Sequence, residues 1–161
     1  MPVRKVAAVT ISISLAFSLS ACGAGNDAPT RMITQVTDGV DGSVTTYGNN
    51  IKVSSLLLVA QADGSAVLVG TIINENPTVD TLLAITVGGI NTTLSQKSFS
   101  LKQNAPVRFA GDTANASGVV PGLNAAPGTR VKVQLSFASA GELTLDALVL
   151  ARSGVYANVG A

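Results

Sequence analysis

Two adjoining stretches, "RVKVQLSFA" (Arg130–Ala138) and "ELTLDALVLA" (Glu142–Ala151), constrain the fold more than anything else in the chain. In the first, Val131, Val133, Leu135 and Phe137 alternate with Arg130, Lys132, Gln134 and Ser136. In the second, Leu143, Leu145, Ala147 and Val149 take every other position. A period of two puts one set on a buried face and the other in water, the pattern of a half-buried strand and not of a helix. Ser139, Ala140 and Gly141 turn the chain between them, so the pair predicts a hairpin.

Other segments repeat the pattern at shorter length. "IKVSSLLLVAQ" (Ile51–Gln61) alternates at first and then runs apolar from Leu56 to Val59, which predicts a central strand buried on both faces. The "ADGS" turn (Ala62–Ser65) joins it to "AVLVGTIINEN" (Ala66–Asn76), which stops at Pro77; together they read as a second hairpin around Asp63-Gly64. "DTLLAITVGG", "KSFSLK" and "PVRFAG" add further short strands. "GDTANASGVVPGLNAAPGT" (Gly111–Thr129) is rich in Gly, Pro, Asn and Asp and reads as loop. Seven or eight short strands with no helical stretch predict an all-β antiparallel sandwich, immunoglobulin-like in architecture, over residues 49–152. A C-terminal tail, 153–161, is expected to fray.

The only cysteine, Cys22, says where such a domain is expected to work. Arg4 and Lys5 are followed by fourteen uncharged residues, Val6–Leu19, a signal-peptide core too short for the ~18–20 residues of a membrane span. Leu19-Ser20-Ala21-Cys22 then resembles a bacterial lipobox. That resemblance implies residues 1–21 as a lipoprotein signal peptide, diacylglyceryl attachment at the Cys22 thiol, and a mature chain of 140 residues anchored to the outer face of the cell membrane. More than one acyl chain, at ~0.8 kcal/mol per buried CH₂, is needed for stable anchoring. Residues 22–48, opening with "GAGNDAPT", read as a tether, with "RMITQV" (Arg31–Val36) as a short edge strand within it. A lone cysteine makes no internal disulfide, so the core must carry the stability.

Composition removes several functions. Without Arg4 and Lys5, eight Lys and Arg face nine Asp and Glu, a net charge of −1 with no basic field for nucleic acid. Histidine is absent, so a His base, a Ser-His-Asp triad and a His/Cys zinc site are all excluded. Glu142 and Asp146 share one strand face at ~13–14 Å, too far apart for paired-carboxylate hydrolysis, and read as solvated charges. Asp38 and Asp41 in "TDGVDGS" have faint calcium-loop spacing but lack a third acidic ligand and the closing Glu. Asn91 and Asn115 stand in glycosylation sequons that a bacterial lipobox makes idle. The Gly111–Gly122 stretch is either a ligand loop or a plain crossover. Tyr47, Tyr156 and Phe109 are candidate interface aromatics. No catalytic, cofactor or metal residue is assigned.

From Ile51 to Leu150 the order of segments resembles the periplasmic copper chaperones of the PCuAC family. "SAVLVGTIINENPTVDTLLAITVGG" is similar to that family's apolar strand, Asn, polar turn, Asp and "LLA". "GVVPGLNAAPGTRVKVQLSFASAGELTLDALV" is similar to its closing stretch. The resemblance implies a cupredoxin-like β-sandwich and a His-x-Met pair for Cu(I), which here falls on Ser117 and Val119. Soft thioethers and imidazole suit Cu(I), and the mature chain offers only Met32, in the tether. The layout most resembles actinobacterial lipoproteins of the LpqE type, which implies a non-catalytic envelope protein bound to a membrane-protein partner, such as a cytochrome bcc–oxidase complex. Copper carriage through atypical ligands stays open as the alternative.

Overall fold

The computed structural model describes residues 38–160. Cys22, Met32 and the segments expected to be a signal peptide and a short "RMITQV" strand lie outside the described residues. Eleven strands build the domain: β1 (Val40–Val44), β2 (Ile51–Ala60), β3 (Ala66–Asn74), β4 (Asp80–Val87), β5 (Ile90–Asn91), β6 (Thr93–Leu94), β7 (Phe99–Leu101), β8 (Val107–Phe109), β9 (Gly118–Val120), β10 (Arg130–Phe137) and β11 (Gly141–Ala151). Two short 3-10 turns, Thr46–Gly48 and Gly154–Tyr156, are the only helical elements among the described residues, so none of them is long and apolar enough to cross a membrane.

The all-β class is what the chain adopts. Both expected hairpins form: β2 pairs with β3, and β10 pairs with β11 over eight residues from Arg130↔Leu148 to Phe137↔Gly141. The strand count exceeds seven or eight because β5, β6 and β9 are too short among turn residues to be read, and β1 lies in the segment read as tether. One of them, β9, lies inside the stretch read as loop.

The sheet runs β5-β4-β10-β11-β2-β3-β9-β6. Its two end strands, β5 and β6, are separated in sequence by Thr92 alone, so the sheet curls nearly into a barrel. Pairing between these strands is antiparallel with one exception, β11 against β2 (Leu148↔Leu57 to Ala151↔Ala60). That exception follows from how β2 shares its edge. Ile51–Leu56 pairs with β1, and Leu57–Ala60 with β11. The bulge at Ser55 and Leu56 sits where one neighbour gives way to the other. Ser55 takes φ 53° there, and its N–H donates to the Asp41 carboxylate at 2.6 Å. Gly39 packs against the same bulge, where a methyl would stand 2.2 Å from the Ser55 carbonyl carbon.

The sheet thus begins at Val40, inside the segment read as tether. Towards the other end of the described chain, residues 153–160 fold back on themselves. Arg152 Nε donates to the Ala157 carbonyl at 2.9 Å, and Val159 N to the Tyr156 carbonyl at 3.1 Å.

Leu56, Leu58, Leu68, Ile72, Leu82, Ile85, Leu135 and Val149 fill the core. Leu57 and Val59 are buried on the opposite face, as expected for a central strand. Phe109 belongs here too: it is fully buried and meets Phe99 edge-on at 5.8 Å, so it is a core residue and no interface aromatic. Asp80, 4% exposed, ties the base of β4 to the β10–β11 turn by accepting from Ser139 N and Ala140 N, both at 2.9 Å.

Candidate functional site

A concavity of about 490 Å³ lies against the start of β3. Four chain segments form it. Val67 and Leu68 of β3 make its floor; Ala110, Gly111, Asp112 and Ala114 come from the loop after β8; Ala116, Ser117 and Val119 lead into and along β9; Val155, Asn158, Val159 and Gly160 come from the tail. The register explains the meeting. β9 lies on β3 through Ala66↔Val120 and Val67↔Val119, while β11 ends at Ala151↔Ala60, so the chain leaving β11 crosses this same end of the sheet.

Local bonds hold each wall. Asn115 closes its loop by accepting from Arg108 N at 2.8 Å and donating to the Pro106 carbonyl at 2.9 Å, which uses the sequon asparagine for structure. Ser117 N donates to Ser95 Oγ, and Ser95 N to the Ser117 carbonyl. Ala110 at φ 65° and Gly111 at φ 92° turn the backbone at the mouth; for Ala110 that conformation carries steric strain. On the tail side Gln61 Nε2 donates to the Val159 carbonyl at 3.4 Å. Gly160 lies so close to the floor that a methyl there would stand 2.8 Å from Val67 Cγ2. Tyr156 Oη donates to the Asp38 carboxylate at 3.1 Å, which fixes the tail to the residue where the described chain begins. Burial, helped by that carboxylate, raises the phenol pKa above its ordinary value.

Ser117 and Val119, the positions to which the resemblance assigns the copper ligands, therefore both line the cleft. The cleft offers a hydroxyl, the Asp112 carboxylate and the Asn158 amide amid valines and alanines. No histidine, cysteine or methionine occurs among residues 38–160, and no group of three or more His, Cys, Asp or Glu gathers among the described residues. Such hard oxygen donors do not fit the soft preference of Cu(I).

The remaining candidate residues scatter. Glu142 accepts from Gln134 Nε2 at 2.6 Å, and Asp146 meets Lys132 Nζ at 3.4 Å, both as exposed cross-strand pairs. Asp41 serves the β2 bulge and Asp38 the tail, so they do not converge as a calcium loop would require. Tyr47 is 96% exposed on the turn at the opposite end of the sheet, with φ 55°. Sequence reasoning missed the tail as a wall of the site. The signal that could have found it is Val155, Tyr156 and Val159, three large apolar or aromatic side chains in a segment read as fraying.

Three solved structures similar to this chain are PCuAC domains. The chain is similar to a copper-bound PCuAC domain from PmoF2, with 21% identity and a TM-score of 0.55 over 63% of this chain and 92% of that one. It is also similar to an apo PCuAC domain from PmoF1, with 24% identity and a TM-score of 0.53 over 63% and 93%. An apo PmoF2 PCuAC domain gives 19% identity and a TM-score of 0.56 over 72% and 96%. No protein-family model and no curated protein matches the sequence. The likeness shows the fold: a PCuAC-type, cupredoxin-like β-domain.

Proposed function

We propose that this chain is a non-catalytic binding module of the bacterial cell envelope, a PCuAC-type domain held on the outer face of the membrane by lipid on Cys22. The observation that carries the reading is the character of the cleft. Where the resemblance assigns His and Met, Ser117 and Val119 stand among apolar walls. A hollow of this size lined by valines and alanines suits contact with another apolar surface better than capture of a soft ion. The actinobacterial, LpqE-type layout supports a membrane-protein partner, with a cytochrome bcc–oxidase complex as the first to examine. Capture of the whole lipidated chain from detergent extracts, beside a Cys22→Ser chain, tests this. A membrane protein recovered reproducibly with the lipidated form is expected; recovery of none contradicts the reading.

A second reading, copper carriage through atypical ligands, is favoured by the neighbour described as copper-bound. It requires donors from outside residues 38–160, where the only sulfur atoms belong to Met1, Cys22 and Met32. Titration with Cu(I) separates the two readings.

A further inference from the structure

We propose that the cleft and the hollow beside it form one site for a single-chain zwitterionic amphiphile, its alkyl chain among the valines and its head between Arg152 and Asp63. The proposal goes beyond the partner contact and is tested without it.

Two neighbouring hollows make up the site. The second, about 390 Å³, is lined by Gln61, Asp63, Ser65 and Arg152. It shares Val67, Val119 and Gly160 with the cleft, so the two meet along that line. Gly160 is the saddle between them. A methyl there would stand 2.8 Å from Val67 Cγ2 and 3.3 Å from Gln61 Cδ, so glycine lets the tail lie low over β3.

Polarity divides between the halves. In the cleft Val67, Val119, Val155 and Val159 present branched apolar surface, and Val155 is 87% exposed. Covering such surface is favourable. The second hollow holds the charges. Arg152 Nε donates to the Ala157 carbonyl at 2.9 Å, which fixes the guanidinium plane. Its Nη groups meet no acceptor among the described residues, and it belongs to neither ion pair there. Asp63 Oδ1 accepts from Ser65 N at 3.0 Å and Ser65 Oγ at 2.7 Å. Those bonds lower its pKa and keep it ionised.

A guanidinium and a carboxylate that share one hollow without pairing leave both charges to a ligand of both signs. The arginine fork suits a phosphate, and the carboxylate suits the ammonium beyond it. An alkyl chain leaving that head over the saddle reaches the valines. A flat bilayer surface does not enter a hollow, whereas 490 Å³ is within the range of a site for one small molecule.

The test titrates the whole chain carrying Cys22→Ser with dodecylphosphocholine below its critical micelle concentration, following the amide chemical shifts of Ser65, Val67, Val119 and Val155. Saturable shifts at these four are expected. Dodecyl maltoside, with the same chain and an uncharged head, should bind about tenfold more weakly, the loss expected for a charge-assisted hydrogen bond. Arg152→Gln should weaken dodecylphosphocholine binding about tenfold and leave dodecyl maltoside unchanged. Val155→Asp, at an exposed position, should weaken both. Equal affinity for the two detergents, an Arg152→Gln effect that is absent or common to both, or no saturable shift at these amides overturns the proposal.

Discussion

Tyr156 donates its phenolic hydrogen to the carboxylate of Asp38, 118 positions earlier in the chain, at 3.1 Å. This bond joins the tail that walls the cleft to the residue from which the sheet's first strand departs. It ties the two ends of the described chain together beside the cleft wall formed by Val155.

Tyr156→Phe should leave the fold intact and loosen the tail. A single, partly exposed hydrogen bond contributes about 1 kcal/mol, so the midpoint of urea unfolding should move little. The effect belongs to the amides of Ala157 and Val159, whose carbonyl partners lie within the tail. Faster hydrogen exchange at those two amides, with the β2–β3 amides unchanged, is the expected outcome.

Gly160→Ala should lift the tail from β3. The added methyl would meet Val67 Cγ2 at 2.8 Å, and φ 76° at Gly160 is costly for alanine. Gly111→Ala, also at positive φ but facing open space, is the control for backbone strain alone. Tail exchange should rise sharply in the first variant and little in the second.

Asp80→Ala should be among the most destabilising single changes. It leaves the N–H groups of Ser139 and Ala140 without their acceptor in a buried place. Loss of charge-assisted bonds of this kind costs about 2–4 kcal/mol, read from urea unfolding at constant slope.

Stability should fall at both ends of the pH scale. The Lys52 hydrogen bond holds the Glu75 pKa below the usual carboxylate range, and the Ser65 hydroxyl and N–H do the same for Asp63. A pKa lowered by folding gives stability above the unfolded value, lost as pH falls through the folded one. Tyr156 has the opposite sign: its raised pKa gives stability below the unfolded value near 10, lost as pH rises through the folded one. Thermal melts across pH should show both declines, and Tyr156→Phe should flatten only the alkaline one.

Much of the fold was legible because β2, β3, β10 and β11 are long enough for alternation or continuous burial to stand out. The Phe99 and Leu101 alternation revealed even the three-residue β7, since both are buried. β9 was hidden because Gly118-Val119-Val120 sits among turn residues and gains its partners only from β3 and β6. Nothing local encodes the parallel pairing of β11 with β2; it arises because β1 starts opposite the bulge, which leaves Leu57–Ala60 for β11. The cleft was illegible for the same reason, being assembled from segments near 67, 110–119 and 155–160 that only the register brings together. What the sequence did carry was the kind of side chain at Ser117 and Val119, and the structure places both in the cleft.

The most direct measurement is a Cu(I) titration of the whole chain, before and after Met32→Leu, against bathocuproine disulfonate. With Ser117 and Val119 in the cleft and no soft donor in residues 38–160, the chelator should keep the copper at every ratio. Withdrawal of one equivalent of Cu(I) from the chelator by the chain would contradict the account.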